Sequence, residues 1–137
     1  MKKTMLFAGV AVLLMPAFLL AGCASTTSRC LPGALEISPG SAVPGSAVTI
    51  SSEPTACDLQ IANGTIYGYT LVAEAHGDDP VDLGSTPVNS DGSFSSAVLI
   101  PEDFPSGNAT LLVTGSAFDD CVLGDSCAAY SAALRIR

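Results

Sequence analysis

From Leu35 to the C-terminus the chain is written in short runs of alternating apolar and polar residues, separated by Pro, Gly, Asn and Asp. A period of two marks a strand with one buried face, and no stretch keeps an apolar 3.6-residue pattern for three turns. Seven strands are predicted, over 35–38, 47–52, 66–75, 82–88, 93–100, 108–114 and 128–136. The residues expected inside are Val48 and Ile50; Tyr67, Tyr69, Leu71 and Ala73; Phe94, Val98 and Ile100; Leu111 and Val113; and Ala132, Leu134 and Ile136. Arg135 and Arg137 then face water. Pro44-Gly45 before the second strand fits a type II turn, because Pro presets φ and Gly accepts the positive φ that follows. Asn89-Ser90-Asp91-Gly92 predicts a hairpin turn into the fifth strand, which Pro101 stops. Seven short strands, each with one apolar face, are most economically buried as two facing antiparallel sheets, a β-sandwich; the alternative is a small closed β-barrel.

The N-terminus follows another rule. Lys2 and Lys3 precede an apolar stretch over 5–20, interrupted by Pro16 and short for a bilayer span, which ends in Leu20-Ala21-Gly22-Cys23. Those four residues resemble the lipobox of bacterial lipoproteins. The resemblance implies a thioether from Cys23 to diacylglycerol and cleavage before it, so that residues 1–22 are a signal peptide. Residues 23–34 carry no periodicity and are mostly small or polar, the composition of a flexible tether, and 35–137 form the domain.

Charge narrows the partners. The chain has 13 Asp+Glu against 5 Lys+Arg. Cleavage before Cys23 leaves Arg29, Arg135 and Arg137 against all 13 carboxylates, a formal charge of −10. So acidic a chain, with no basic cluster, is not a nucleic-acid binder. An anionic leaflet repels it, so attachment to the membrane rests on the lipid at Cys23 and not on a polybasic patch. The five Cys then divide into the lipidated Cys23 and four others, Cys30, Cys57, Cys121 and Cys127. An even number outside the cytoplasm reads as two disulfides, with three connectivities. If the strands run up and down in order, the approach to the first strand, the 53–65 connection and the last connection gather at one pole, and with them all four Cys. The favoured pairing is Cys30–Cys57 with Cys121–Cys127; the alternative bonds Cys57 into the last connection.

Further motifs lie along the same strands: Ile37-Ser38-Pro39, Val43-Pro44-Gly45-Ser46-Ala47-Val48-Thr49-Ile50-Ser51-Ser52, Leu83-Gly84, Asp91-Gly92-Ser93-Phe94-Ser95, Ile100-Pro101 and Pro105-Ser106-Gly107-Asn108-Ala109-Thr110-Leu111. Together they resemble the Ig-like modules of bacterial surface proteins over residues 35–114. The likeness departs at 56–66 and in the Cys-bearing last connection. It implies an Ig-like β-sandwich, disulfide-stapled, and no catalytic residues.

Candidate chemistry is sparse. Copper–zinc and blue-copper sites need several His, and the chain has one, His76, in a Gly- and Asp-rich loop where a solvated side chain is expected. No Gly-x-Ser-x-Gly elbow and no Cys-x-x-Cys pair occurs. Asp78, Asp79 and Asp82 share one loop and Asp119, Asp120 and Asp125 another; neither matches a calcium loop, and solvated turns are the expected reading. No cofactor is implied, and the chain reads as no enzyme. What remains is a lipid-anchored, non-catalytic domain on the outer face of the cell membrane, with a structural or protein-interaction role and a protein partner in the envelope. A small-ligand or calcium-binding sensor or carrier is the alternative. Contacts are expected on loops, at 55–66 and 118–126, where Phe118, Val122 and Leu123 are apolar residues in an acidic loop; packing beneath a disulfide is the competing role for those three.

Overall fold

The computed structural model describes residues 30–75, 79–119 and 129–137. Among them are eight strands: β1 (Leu35–Ser38), β2 (Ser41–Ala42), β3 (Ala47–Ser52), β4 (Ile66–Ala73), β5 (Val81–Pro87), β6 (Phe94–Leu99), β7 (Gly107–Thr114) and β8 (Tyr130–Ile136). They form two sheets, one in the order β1-β3-β6 and one in the order β2-β8-β7-β4-β5. The fold is all-β, as the period-two pattern predicts. Every pairing is antiparallel except that of β2 with β8.

Three departures from the sequence reading have physical reasons. There are eight strands instead of seven, because β2 is two residues long and a strand that short has no alternation to read. After the cis Ser38–Pro39 bond the chain leaves β1 and runs beside β8, where Arg135 N–H donates to the Gly40 carbonyl at 3.3 Å and Arg137 N–H to that of Ala42 at 2.9 Å. Second, Asn89–Gly92 turns as expected, with Gly92 N–H on the Asn89 carbonyl at 2.9 Å and φ of 84° at Gly92. It is nonetheless no hairpin: β5 pairs with β4 and β6 with β3, so this turn carries the chain between sheets. Turn chemistry sets the local reversal and not which edge the next strand joins. Third, β4 ends at Ala73 and the chain turns at Glu74, two residues earlier than read, although Glu74 N–H still bonds to the Asn108 carbonyl of β7 at 3.0 Å. By contrast, the Val43–Ser46 turn is as read, with Ser46 N–H on the Val43 carbonyl at 3.0 Å and φ of 79° at Gly45.

One core serves both sheets. Val48, Ile50, Phe94, Val98 and Ile100 come from the β1-β3-β6 side, and Tyr67, Tyr69, Leu71, Leu111, Val113, Leu134 and Ile136 from the other. Ile50, Leu71 and Leu111 are wholly buried, each contributing about 1.5–3 kcal/mol on transfer from water. Across the interface the Tyr67 and Phe94 rings meet edge to face at 5.6 Å. The edge strand β5 is interrupted by a bulge: pairing with β4 passes from Tyr69↔Gly84 to Thr70↔Asp82, so Leu83 is unmatched and turns toward the core. Gly84 takes φ of 100° there and donates its N–H to Asp82 Oδ1 at 2.7 Å.

Strand direction sorts the connections into two poles. The 30–34 segment, the β3–β4 connection, the β5–β6 turn and the β7–β8 connection lie at one end. The Pro39–Gly40 bend, the Val43–Ser46 turn, the β6–β7 loop and Arg137 lie at the other.

Candidate functional site

The first pole gathers the sequence-predicted residues that the structure describes. Cys30 and Cys57, 27 residues apart, form a disulfide with 5.8 Å between their Cα atoms, the favoured pairing. It fixes the end of the N-terminal segment to the β3–β4 connection. Three residues later the Tyr130 hydroxyl donates to the Gly33 carbonyl at 2.8 Å. Gly33 sits so close to β3 that a Cβ there would lie 2.9 Å from the Glu53 carbonyl oxygen, which is why this position takes no side chain. The segment from Cys30 to Gly33 is therefore part of the domain, although the composition reading gave residues 23–34 to the tether. Cys23, Cys121, Cys127, Val122 and Leu123, as well as His76, Asp78, Asp120 and Asp125, lie outside the described residues.

Phe118 is described, and it is half-buried against the core. Its ring stacks on Tyr130 at 5.0 Å and 29°. Tyr130 in turn meets Tyr67 edge to face at 6.2 Å, Tyr67 meets Phe94, and Phe94 meets Tyr69 at 6.2 Å. A file of five rings thus runs from the pole into the core. Sequence reasoning missed Tyr130, although the parity of Ala132, Leu134 and Ile136 extends back to it. Burial raises the hydroxyl pKa of Tyr67, helped by the neighbouring Tyr130 and Asp119. Burial also raises that of Tyr130, opposed by Ser52. Deeper in, burial pushes Tyr69 up to about 12. Ser96 and Thr86 are close enough to oppose that rise, yet neither closes a well-formed hydrogen bond on the buried Tyr69 hydroxyl.

The 55–66 loop borders one shallow groove of about 200 Å³, lined by Pro32, Leu59, Gln60, Ile61, Tyr67 and Ala117 among others, whereas no described residue of 118–126 lines it. Local bonds shape its walls. Thr55 N–H reaches the Asp91 carbonyl at 3.1 Å, Thr65 N–H that of Ala62 at 3.1 Å, and Gln60 N–H Asp58 Oδ1 at 2.9 Å. Gln60 adopts a φ of 52°, the left-handed region that a side chain seldom takes, and Asp58 holds it there. Gly92 takes a φ of 84°, which a side chain seldom adopts, and a Cβ there would also push Leu59 Cδ1 aside.

The carboxylates of this pole are engaged by their own turns. Asp91 accepts from the Ser93 hydroxyl at 2.7 Å and its N–H at 3.0 Å, which lowers its pKa, and Asp119 accepts from Gly115 N–H. In the other acidic loop Asp82 is held by Gly84. Among the described residues no group of three or more His, Cys, Asp or Glu side chains is arranged to hold a metal. What the pole offers is a covalently clamped, aromatic-backed shelf of small and apolar residues.

No known family model matches the chain. Over 82 residues it is 38% identical to a "Putative endo-alpha-N-acetylgalactosaminidase" of Renibacterium salmoninarum, a stretch that is 60% of this chain and 5% of that protein. The chain therefore spans about one twentieth of the length of this relative. Two superoxide reductase (neelaredoxin) structures from Ignicoccus hospitalis share 12% identity with it. They superpose with TM-scores of 0.46 and 0.45 over 82% and 83% of this chain and 86% and 89% of theirs.

Proposed function

We propose that this chain is a lipid-anchored, non-catalytic domain of the bacterial cell envelope, an Ig-like β-sandwich held on the outer face of the cell membrane by diacylglycerol on Cys23 and serving protein interaction or envelope structure. The observation that carries the reading is the Cys30–Cys57 clamp. A disulfide belongs to an oxidising compartment outside the cytoplasm, and this one ties the domain seven residues after the lipobox Cys. The two sheets around one core, with β1 and β2 divided between them, support the sandwich. The small share of the long Renibacterium protein that matches supports a module that also occurs as a minor part of larger chains. On this reading Cys121 and Cys127 form the second disulfide.

Fractionation tests the anchor. The wild-type protein sediments with membranes and the Cys23→Ser protein is released; a Cys23→Ser protein that stayed fully membrane-bound would contradict the reading. The name of the Renibacterium relative prompts a second assay, in which the purified domain is given an α-N-acetylgalactosaminide. No hydrolysis is expected, and turnover that survives re-purification would overturn the non-catalytic assignment.

A further inference from the structure

The clamp fixes more than stability. Cys30, tied to the domain by its disulfide, is seven residue steps from Cys23, and seven steps span at most about 25 Å. The domain is longer than that. The eight residues of β4, seven steps, already cover about 24 Å between the poles, and the turns at both ends carry the domain beyond that reach.

We infer, on the reading that Cys23 carries the lipid, that the domain stands on its disulfide pole and cannot invert. The Val43–Ser46 end is thereby the surface always offered away from the bilayer. The domain is free to lean, since its sides lie closer to Cys30 than the far pole does. Turning over would lift Cys30 beyond the reach of its own anchor. The groove between Leu59 and Ala117 is held near the lipid, whereas the outward end carries Val43, 51% exposed, and Leu99, 62% exposed, with Gly45 N–H bonded to the Ile100 carbonyl between them. Glu102 and Asp103 lie at the rim of that end.

Opening the disulfide relaxes the constraint. The constraint then passes to Gly33, held by Tyr130, ten steps from Cys23 and about 35 Å in reach, which lengthens the tether by about 10 Å.

The chain contains no Trp, so a single introduced Trp is a clean probe. Val43→Trp marks the outward pole and Ile66→Trp, at a side chain 58% exposed, the inward one. Each lipidated full-length protein is reconstituted in vesicles carrying a headgroup energy acceptor. Transfer from the Ile66→Trp protein is expected to be several-fold stronger than from the Val43→Trp protein, and the ratio falls toward one when Cys30→Ser and Cys57→Ser are added. Equal transfer from both with the disulfide intact overturns the orientation, and a ratio unchanged by loss of the disulfide overturns the role given to the clamp. A protein that fails to float with the vesicles overturns the lipid anchor itself, a separate outcome read before any transfer is measured.

Discussion

The two poles of the domain close by different means. At the outward pole the chain reverses through short turns. Pro44 and Gly45 supply the required φ values, and two backbone bonds link Gly45 and Ser46 to Ile100. At the inward pole the connections are longer, and a covalent bond and a tyrosine hydroxyl join the backbone bonds that close it. Cys30 reaches Cys57, Tyr130 reaches back 97 positions to Gly33, and Thr55 N–H reaches the Asp91 carbonyl. A tight turn is stable on its own chemistry, whereas a long connection loses more entropy on ordering and needs cross-links to hold one shape. The cross-linked pole is also the one that bears the proposed anchor, so the same bonds that order its loops set the reach of the tether.

The difference breaks most visibly if the covalent link is removed. Replacing both Cys30 and Cys57 with Ser should cost on the order of 3–4 kcal/mol for a loop of 27 residues, read from the urea midpoint. A loss below about 1 kcal/mol would mean that the clamp is not what holds this end. Glycine substitutions sharpen the contrast. Gly115→Ala at the inward pole meets both a φ of 87° and the Ile66 carbonyl oxygen 2.8 Å from the new Cβ, and should cost about 2–3 kcal/mol. Gly45→Ala outward meets only its φ of 79° and a yielding Glu102 side chain at 3.4 Å, and should cost about 1 kcal/mol. Equal losses in thermal melts would deny that the two ends are built differently.

Smaller effects follow the rings. Tyr130→Phe removes the bond to Gly33 and should cost about 1 kcal/mol, while Tyr69→Phe deletes an unpartnered hydroxyl and should leave the melting temperature level or raised. The pH dependence has a definite sign. Tyr67, Tyr69 and Tyr130 all ionise less readily in the folded chain than at their ordinary 10.0. Stability from this source is complete below about pH 10 and is lost as pH rises from there to about 12. Tyr69→Phe should blunt that alkaline loss, and a melting temperature that instead rose between pH 10 and 12 would contradict the burial of these hydroxyls.

Legibility in the sequence divides along the same line. β3, with Val48 and Ile50 inward, and the Val43–Ser46 turn are readable because period and turn chemistry act within six residues. The two-residue β2 is not, since its only support is β8, more than ninety positions away. Nor is the sheet change after Asn89–Gly92, which depends on where β3 already lies. Of the candidate site, placing the connections at one pole brings Cys30 and Cys57 within reach of each other but leaves Cys57 a second possible partner in the last connection, and the structure shows the first pairing. The Tyr130–Gly33 bond and the left-handed Gln60 do not, because each is fixed by a neighbour that no local pattern names.

The central claim, that this domain is held at the membrane through Cys23, is tested most directly by the mass of its N-terminal tryptic peptide. Trypsin cuts after Arg29, so membrane-isolated protein should yield residues 23–29 with diacylglycerol in thioether linkage on Cys23 and nothing from residues 1–22. The same peptide with an unmodified Cys23, or a mature chain that begins elsewhere, would contradict the account.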